Sequence, residues 1–204
     1  MPDTAVTDGV TVLNSSLWDS MVRQQVTVTC TSGTRPTNVE GRLIYETDTD
    51  RLLLGTGSGS NWIVKAEPSQ TWAPSFSSGV TVGNGAWSGA ITHRSDGWVD
   101  LEGVFTLGST SAISGDILLT LPYTAASKGY GSRFRGAFYD TSGGSTVPII
   151  GAFTNATTSV WLRSSLASGT PTVATAASAT VPFTWATGDS IEVVARYPMA
   201  NRYG

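Results

Sequence analysis

The sequence predicts a mainly β protein: a short N-terminal helix and a small β-meander, then an antiparallel β-sandwich. Three observations carry this reading. Gly accounts for 23 of the 204 residues, and Ser and Thr are abundant, so turn-forming positions are frequent. Between them recur short apolar stretches rich in Val, Ile, Leu and aromatics, several alternating with polar residues at the period of a half-buried strand. Charged residues make up only 13%, against about 25% in ordinary domains, which leaves little material for solvated helix faces. A hydrophobic content of 40% with seven Trp supplies enough apolar area for a core and argues against disorder.

Residues 1–12 are polar and read as an extended arm. In the following "LNSSLWDSMVRQQ", Leu13, Leu17, Trp18, Met21 and Val22 fall at helical spacing, with Asn14, Ser15 or Ser16 available as the cap. A helix of about three turns is marginal alone in water, so its apolar stripe requires a partner surface. Leu13, Leu17, Trp18 and Met21 are therefore the candidate anchor or oligomerisation residues.

The next segment reads as three strands, "RLIYET", "RLLLG" and "NWIVKA", joined by the acidic turn "DTD" and the turn "GTGSGS". Three short strands hold together when a helix covers their apolar face, which makes residues 13–66 one anchor module. Glu46, Asp48 and Asp50 bring three carboxylates close in sequence. They lack the Gly and the distant bidentate Glu of a calcium loop, so no metal is expected. Cys30 is the single cysteine, which excludes an internal disulfide and a Cys-based zinc cluster. It is expected as a small buried side chain in the strand "VTVTC".

Residues 67–75, with Pro68 and Pro74 bracketing Trp72, read as a linker. The C-terminal domain then occupies residues 76–204. In "GWVDLEGVFTL", Val99, Leu101, Phe105 and Leu107 point one way, with Asp100, Glu102 and Thr106 opposite. Phe134 and Phe138 alternate with Arg133 and Arg135. Ile191, Val193, Ala195 and Tyr197 alternate with Glu192 and Arg196. With "GDILLTLP", "VPIIGAF" and "SVWLR", the pattern is that of an antiparallel sandwich, and the order of its cues favours a jelly roll.

The stretch "TSGTRPTNVEGRLIYETDTDRLLLGTGSGSNWI", with its pattern R-P-x-x-x-E-G-x-x-I-Y-E-T-D-T followed by an apolar strand, a Gly-rich turn and a Trp, resembles a module of bacteriophage tail-fibre, minor tail and other virion surface proteins. The resemblance covers residues 30–64. It implies a structural connector ahead of a variable C-terminal domain. "PFTWATGDSIEVVARY" is similar to the final strands of C1q/TNF-like jelly rolls, a resemblance that implies a homotrimer.

Other functions leave little trace. The net charge is -3, and ten Arg and two Lys are interspersed with acidic residues, so no basic run offers a nucleic-acid footprint. Neither a secretory signal nor membrane insertion is expected, since no apolar run approaches the length of a span. His93, the one histidine, sits where a strand runs into a turn and reads as structural. Asp96, Asp100 and Glu102 could supply a glycosidase's carboxylate pair but read as a solvated strand face. "GTGSGSNW" lacks the Lys and the following helix of a phosphate loop. No enzymatic activity and no cofactor are expected. Of Trp87, Trp98, Trp161 and Trp185, the two out of phase with the inward sets are Trp98 and Trp161, which makes them the candidate ligand or interface residues.

The expectation is thus a structural virion surface protein of a phage, assembled in the host cytoplasm. As a tail-fibre or receptor-binding protein it would attach to other virion proteins through its N-terminus and contact a host-surface glycan through its sandwich. The alternative is a capsid decoration or head-fibre protein that stabilises the shell or gives loose surface attachment.

Overall fold

The computed structural model describes residues 27–126, 133–153, 158–166 and 173–200. The described chain is almost wholly β, its one helical piece being a 3-10 turn at Ser32–Thr34. The arm over 1–12 and the helix expected over 13–25, with Leu13, Leu17, Trp18 and Met21, lie outside the described residues, and the helix is not supported. The chain divides into two compact units after Ala66.

The smaller unit is a four-stranded sheet of β1 (Val28–Cys30), β2 (Leu43–Glu46), β3 (Arg51–Gly55) and β4 (Trp62–Ala66), in that order. β2, β3 and β4 form the expected antiparallel meander. β1 adds a fourth strand, parallel to β2 with Val28 opposite Ile44. Ile44, Leu53, Trp62 and Val64 make the core, and Val28 and Cys30 pack against it. Cys30 is half-buried rather than buried, because an edge strand covers its side chain from one side only. Desolvation and the nearby Glu46 carboxylate raise its thiol pKa.

The larger unit contains β5 (Gln70–Thr71), β6 (Phe76–Thr81), β7 (Ala86–His93), β8 (Trp98–Thr106), β9 (Ala112–Thr120), β10 (Arg133–Asp140), β11 (Ser145–Phe153), β12 (Ser159–Leu166), β13 (Val173–Thr175) and β14 (Ser190–Pro198). They form one curled antiparallel sheet in the order β5-β7-β8-β14-β10-β11-β12-β9-β6, with β13 on β12. β11 carries the sheet from one layer to the other: Ser145–Pro148 pair with β10, whereas Ile149–Phe153 pair with β12. The curl brings the far strands back together. Phe76 of β6 stacks on Trp87 of β7 with ring centroids 5.5 Å apart, and Trp72 and Phe105 close the same aromatic cluster at 5.8 and 5.6 Å from Trp87. Gly103 makes room for this, since a Cβ there would lie 3.0 Å from the Trp87 ring.

Strand periodicity is obeyed where the sequence is clearest. Val99, Leu101, Phe105 and Leu107 are buried, as are Phe138, Ile191, Val193, Ala195 and Tyr197. The segment 67–75 differs from the expected linker. Gln70 and Thr71 pair with β7, and Trp72 is buried in the core. Each flanking proline removes only its own N–H donor, and the apolar area of Trp72 outweighs that loss.

Candidate functional site

The polar residues of the small unit are engaged with one another. Glu46 occupies an inward position of β2 and is wholly buried, so its charge demands partners. It accepts the Arg35 Nε–H and, at 2.6 Å, the Thr49 hydroxyl. Asp48 accepts the Ser32 hydroxyl at 2.6 Å and the Ser32 N–H at 2.9 Å, which lowers its carboxyl pKa. Asp50 accepts the Tyr45 hydroxyl and raises that phenol's pKa. The three carboxylates thus each serve their own donors, and among the described residues no group of His, Cys, Asp and Glu is placed to hold a metal. Asn38 fixes the Gly-rich turn: its side-chain oxygen accepts the N–H groups of Thr56 (2.9 Å) and Gly57 (3.1 Å), and its amide donates to the Asn61 carbonyl (2.8 Å).

The larger unit presents a different kind of surface. Along β12, Val160, Leu162 and Ser164 are buried, which turns Trp161 and Arg163 to the outer face. Trp161 stands in register with Leu118 of β9 and Ala152 of β11, and Arg163 with Ile150 of β11. The Arg163 guanidinium lies 5.5 Å from the Trp161 ring centroid and, from its Nη2, 3.2 Å from the Asp116 carboxylate. Ile150 is 41% exposed beside them. This patch joins an aromatic ring, a cation, a carboxylate and an aliphatic side chain. An uncharged polyol could lay its C–H face on the ring while its hydroxyls bond the Arg and Asp.

Trp98 is half-buried at the start of β8, opposite Pro198 of β14. β14, β10 and β11 separate β8 from β12 in the ladder, so the two candidate tryptophans belong to different surfaces. Trp87 and Trp185 pack against the core, and the Trp185 indole donates to the Ser178 carbonyl at 3.0 Å.

The carboxylates near Trp98 are tied to arginines. Arg196 grips Asp100 through Nε at 2.6 Å and Nη2 at 3.0 Å, with Arg94 at 3.5 Å. The Arg196 hydrogen bond holds the Asp100 carboxyl below its usual range. His93 faces inward, in contact with the buried Glu67 carboxylate and 4.2 Å from the Tyr123 ring. Nearby Tyr197 is fully buried, and desolvation pushes its phenol pKa upward. Glu67 was not legible as a partner, because it precedes Pro68 in a segment read as a linker. Arg163 and Asp116 were also missed. The signal available was their position two residues along the same strand faces from Trp161 and Leu118, visible only once β9 and β12 are paired.

Among the described residues no helix is long and apolar enough to cross a membrane. No protein-family model, no curated protein and no solved structure matches the chain.

Proposed function

We propose that the chain is a structural surface protein of a phage particle, a tail-fibre or receptor-binding protein whose N-terminal part attaches to other virion proteins and whose sandwich contacts a host-surface glycan. The observation that carries this reading is the outward Trp161 with Arg163 beside its ring and Asp116 paired to the Arg. Aromatic stacking with a few fixed polar groups is how a shallow protein surface holds a sugar. The small unit suits a connector, because its polar side chains hold its own loops together. In the same reading the sandwich is a C1q/TNF-like jelly roll, supported by the return of the last strand, β14, to the middle of a layer between β8 and β10, and three copies assemble as a homotrimer.

Antibody labelling of intact particles in the electron microscope tests the placement. Label at the tail tip is the expected result. Label spread over the capsid shell would replace this reading with capsid decoration.

A further inference from the structure

The outer face of the β7–β8–β14–β10 layer is a grid whose registers are fixed. One row runs Ala90, Glu102, Val194, Arg135, and the next toward the β14 N-terminus runs Ser88, Val104, Glu192, Ala137. Val194 is 46% exposed and Val104, set diagonally to it on the adjacent strand, 37%. A groove of about 570 Å³, lined by Glu102, Arg135 and Val194 among others, crosses this face, and a second adjoins it along Val104.

The charges on the grid fall into two groups. Asp100 is held by Arg196, and Glu192 accepts the Tyr139 hydroxyl at 2.7 Å. Glu102 and Arg135 are exposed and, among the described residues, have no ion-pair or hydrogen-bond partner. They flank Val194 from opposite sides, one strand away each, with backbones roughly 10 Å apart. Around Val194 the face is therefore acidic on one side of β14 and basic on the other, while the outward Glu192 and Arg196 of β14 itself are bonded to Tyr139 and Asp100.

We infer that this face is covered by another copy of the same chain, with Glu102 of one copy against Arg135 of the next around an axis that runs along β14. A rotation about such an axis exchanges the two sides of β14, so the antisymmetric charges become complementary and Val194 meets its own copies. No unrelated partner is needed to satisfy either charge. The area is adequate: nine-residue strands β8 and β14 with their two neighbours give a footprint of roughly 600 Å² per copy, close to the ~800 Å² per partner of a standard interface. The inference rests on the homotrimer reading for its copy number alone. It leaves the β9–β12–β11 face, with Trp161, pointing away from the contact.

The test is sedimentation of the full-length chain, wild type and three variants: Glu102→Arg, Arg135→Glu and the double exchange. The expected wild-type mass is a multiple of 21.3 kDa. Each single reversal places like charges together and should weaken assembly at least ~10-fold, and the double exchange should restore it to within ~3-fold. Val194→Asp, exposed in the single chain, should weaken assembly without lowering the melting temperature of the separated copies. A wild type that sediments at 21.3 kDa at micromolar concentration would overturn both this inference and the homotrimer. A multimeric wild type indifferent to all the substitutions would overturn this face alone and leave the homotrimer standing.

Discussion

Arg35 and Glu46 form an ion pair inside the smaller unit, with the Glu46 side chain wholly buried and the Arg35 side chain 22% exposed. The pair links the loop before β2 to the core face of β2 itself. Removing the cation strands a charge where water cannot reach it. Arg35→Met should destabilise the unit by about 3 kcal/mol, whereas the double variant Arg35→Met/Glu46→Leu should recover most of that loss. Urea unfolding of the three proteins checks this. A single variant within 0.5 kcal/mol of wild type, on the order of surface substitutions, would contradict it.

Asp189 anchors the turn that leads into β14. It is buried, and its two carboxylate oxygens accept the N–H of Thr141 at 2.9 Å and of Ala186 at 2.7 Å. Asp189→Ala leaves both donors unsatisfied and should cost about 2–3 kcal/mol, with Asp189→Asn closer to wild type because its side-chain oxygen still accepts one of them. Equal losses from Ala and Asn, measured by thermal unfolding, would show that the hydrogen bonds are not what holds the turn.

The Asp100–Arg196 pair gives a pH signature. Arg196 lowers the Asp100 carboxyl pKa in the folded chain, so the pair's stabilisation is present above the unfolded value near pH 3.9 and is lost as pH falls through the lower folded value. Both side chains are substantially exposed, so the effect is small and shrinks with salt. Arg196→Ala should melt slightly below wild type at neutral pH, and the gap should close as pH falls through the lowered Asp100 value. A gap that persists in acid would locate the loss in packing of the Arg stem rather than in charge.

Leu13, Leu17, Trp18 and Met21 are the proposed attachment residues. Deletion of residues 1–26 should leave the two described units folded, with unchanged near-ultraviolet circular dichroism, while the protein disappears from purified particles. Normal incorporation of the truncated chain would move the attachment elsewhere.

How much of this was legible follows from what strand pattern encodes. β8 and β14 were readable because both lie centrally in one layer whose outer positions are mostly polar, so Val99, Leu101 and Phe105, and Ile191, Val193 and Tyr197, keep a strict two-residue period. The same rule put Trp98 and Trp161 out of phase with the core. It could not show that they lie on different layers, because pairing across β14, β10 and β11 is long-range information. β5 was lost to the prolines around Trp72, since two paired residues are too few for any period. Glu46 looked like one member of an acidic turn. Its burial follows from the alternation Ile44, Tyr45, Glu46, and the partner that makes burial tolerable lies in a different loop.

Contact between the sandwich and the host surface is tested by adsorption inhibition with the purified full-length chain. Wild-type protein should occupy the receptor and slow adsorption of the phage to host cells. Trp161→Ala should fold and assemble, since truncating a half-buried Trp costs less than the roughly 3–5 kcal/mol of a core one, yet should fail to inhibit. Inhibition by the Trp161→Ala protein equal to that of wild type, or none by wild type at saturating concentration, would contradict the receptor-binding reading and favour a role on the capsid.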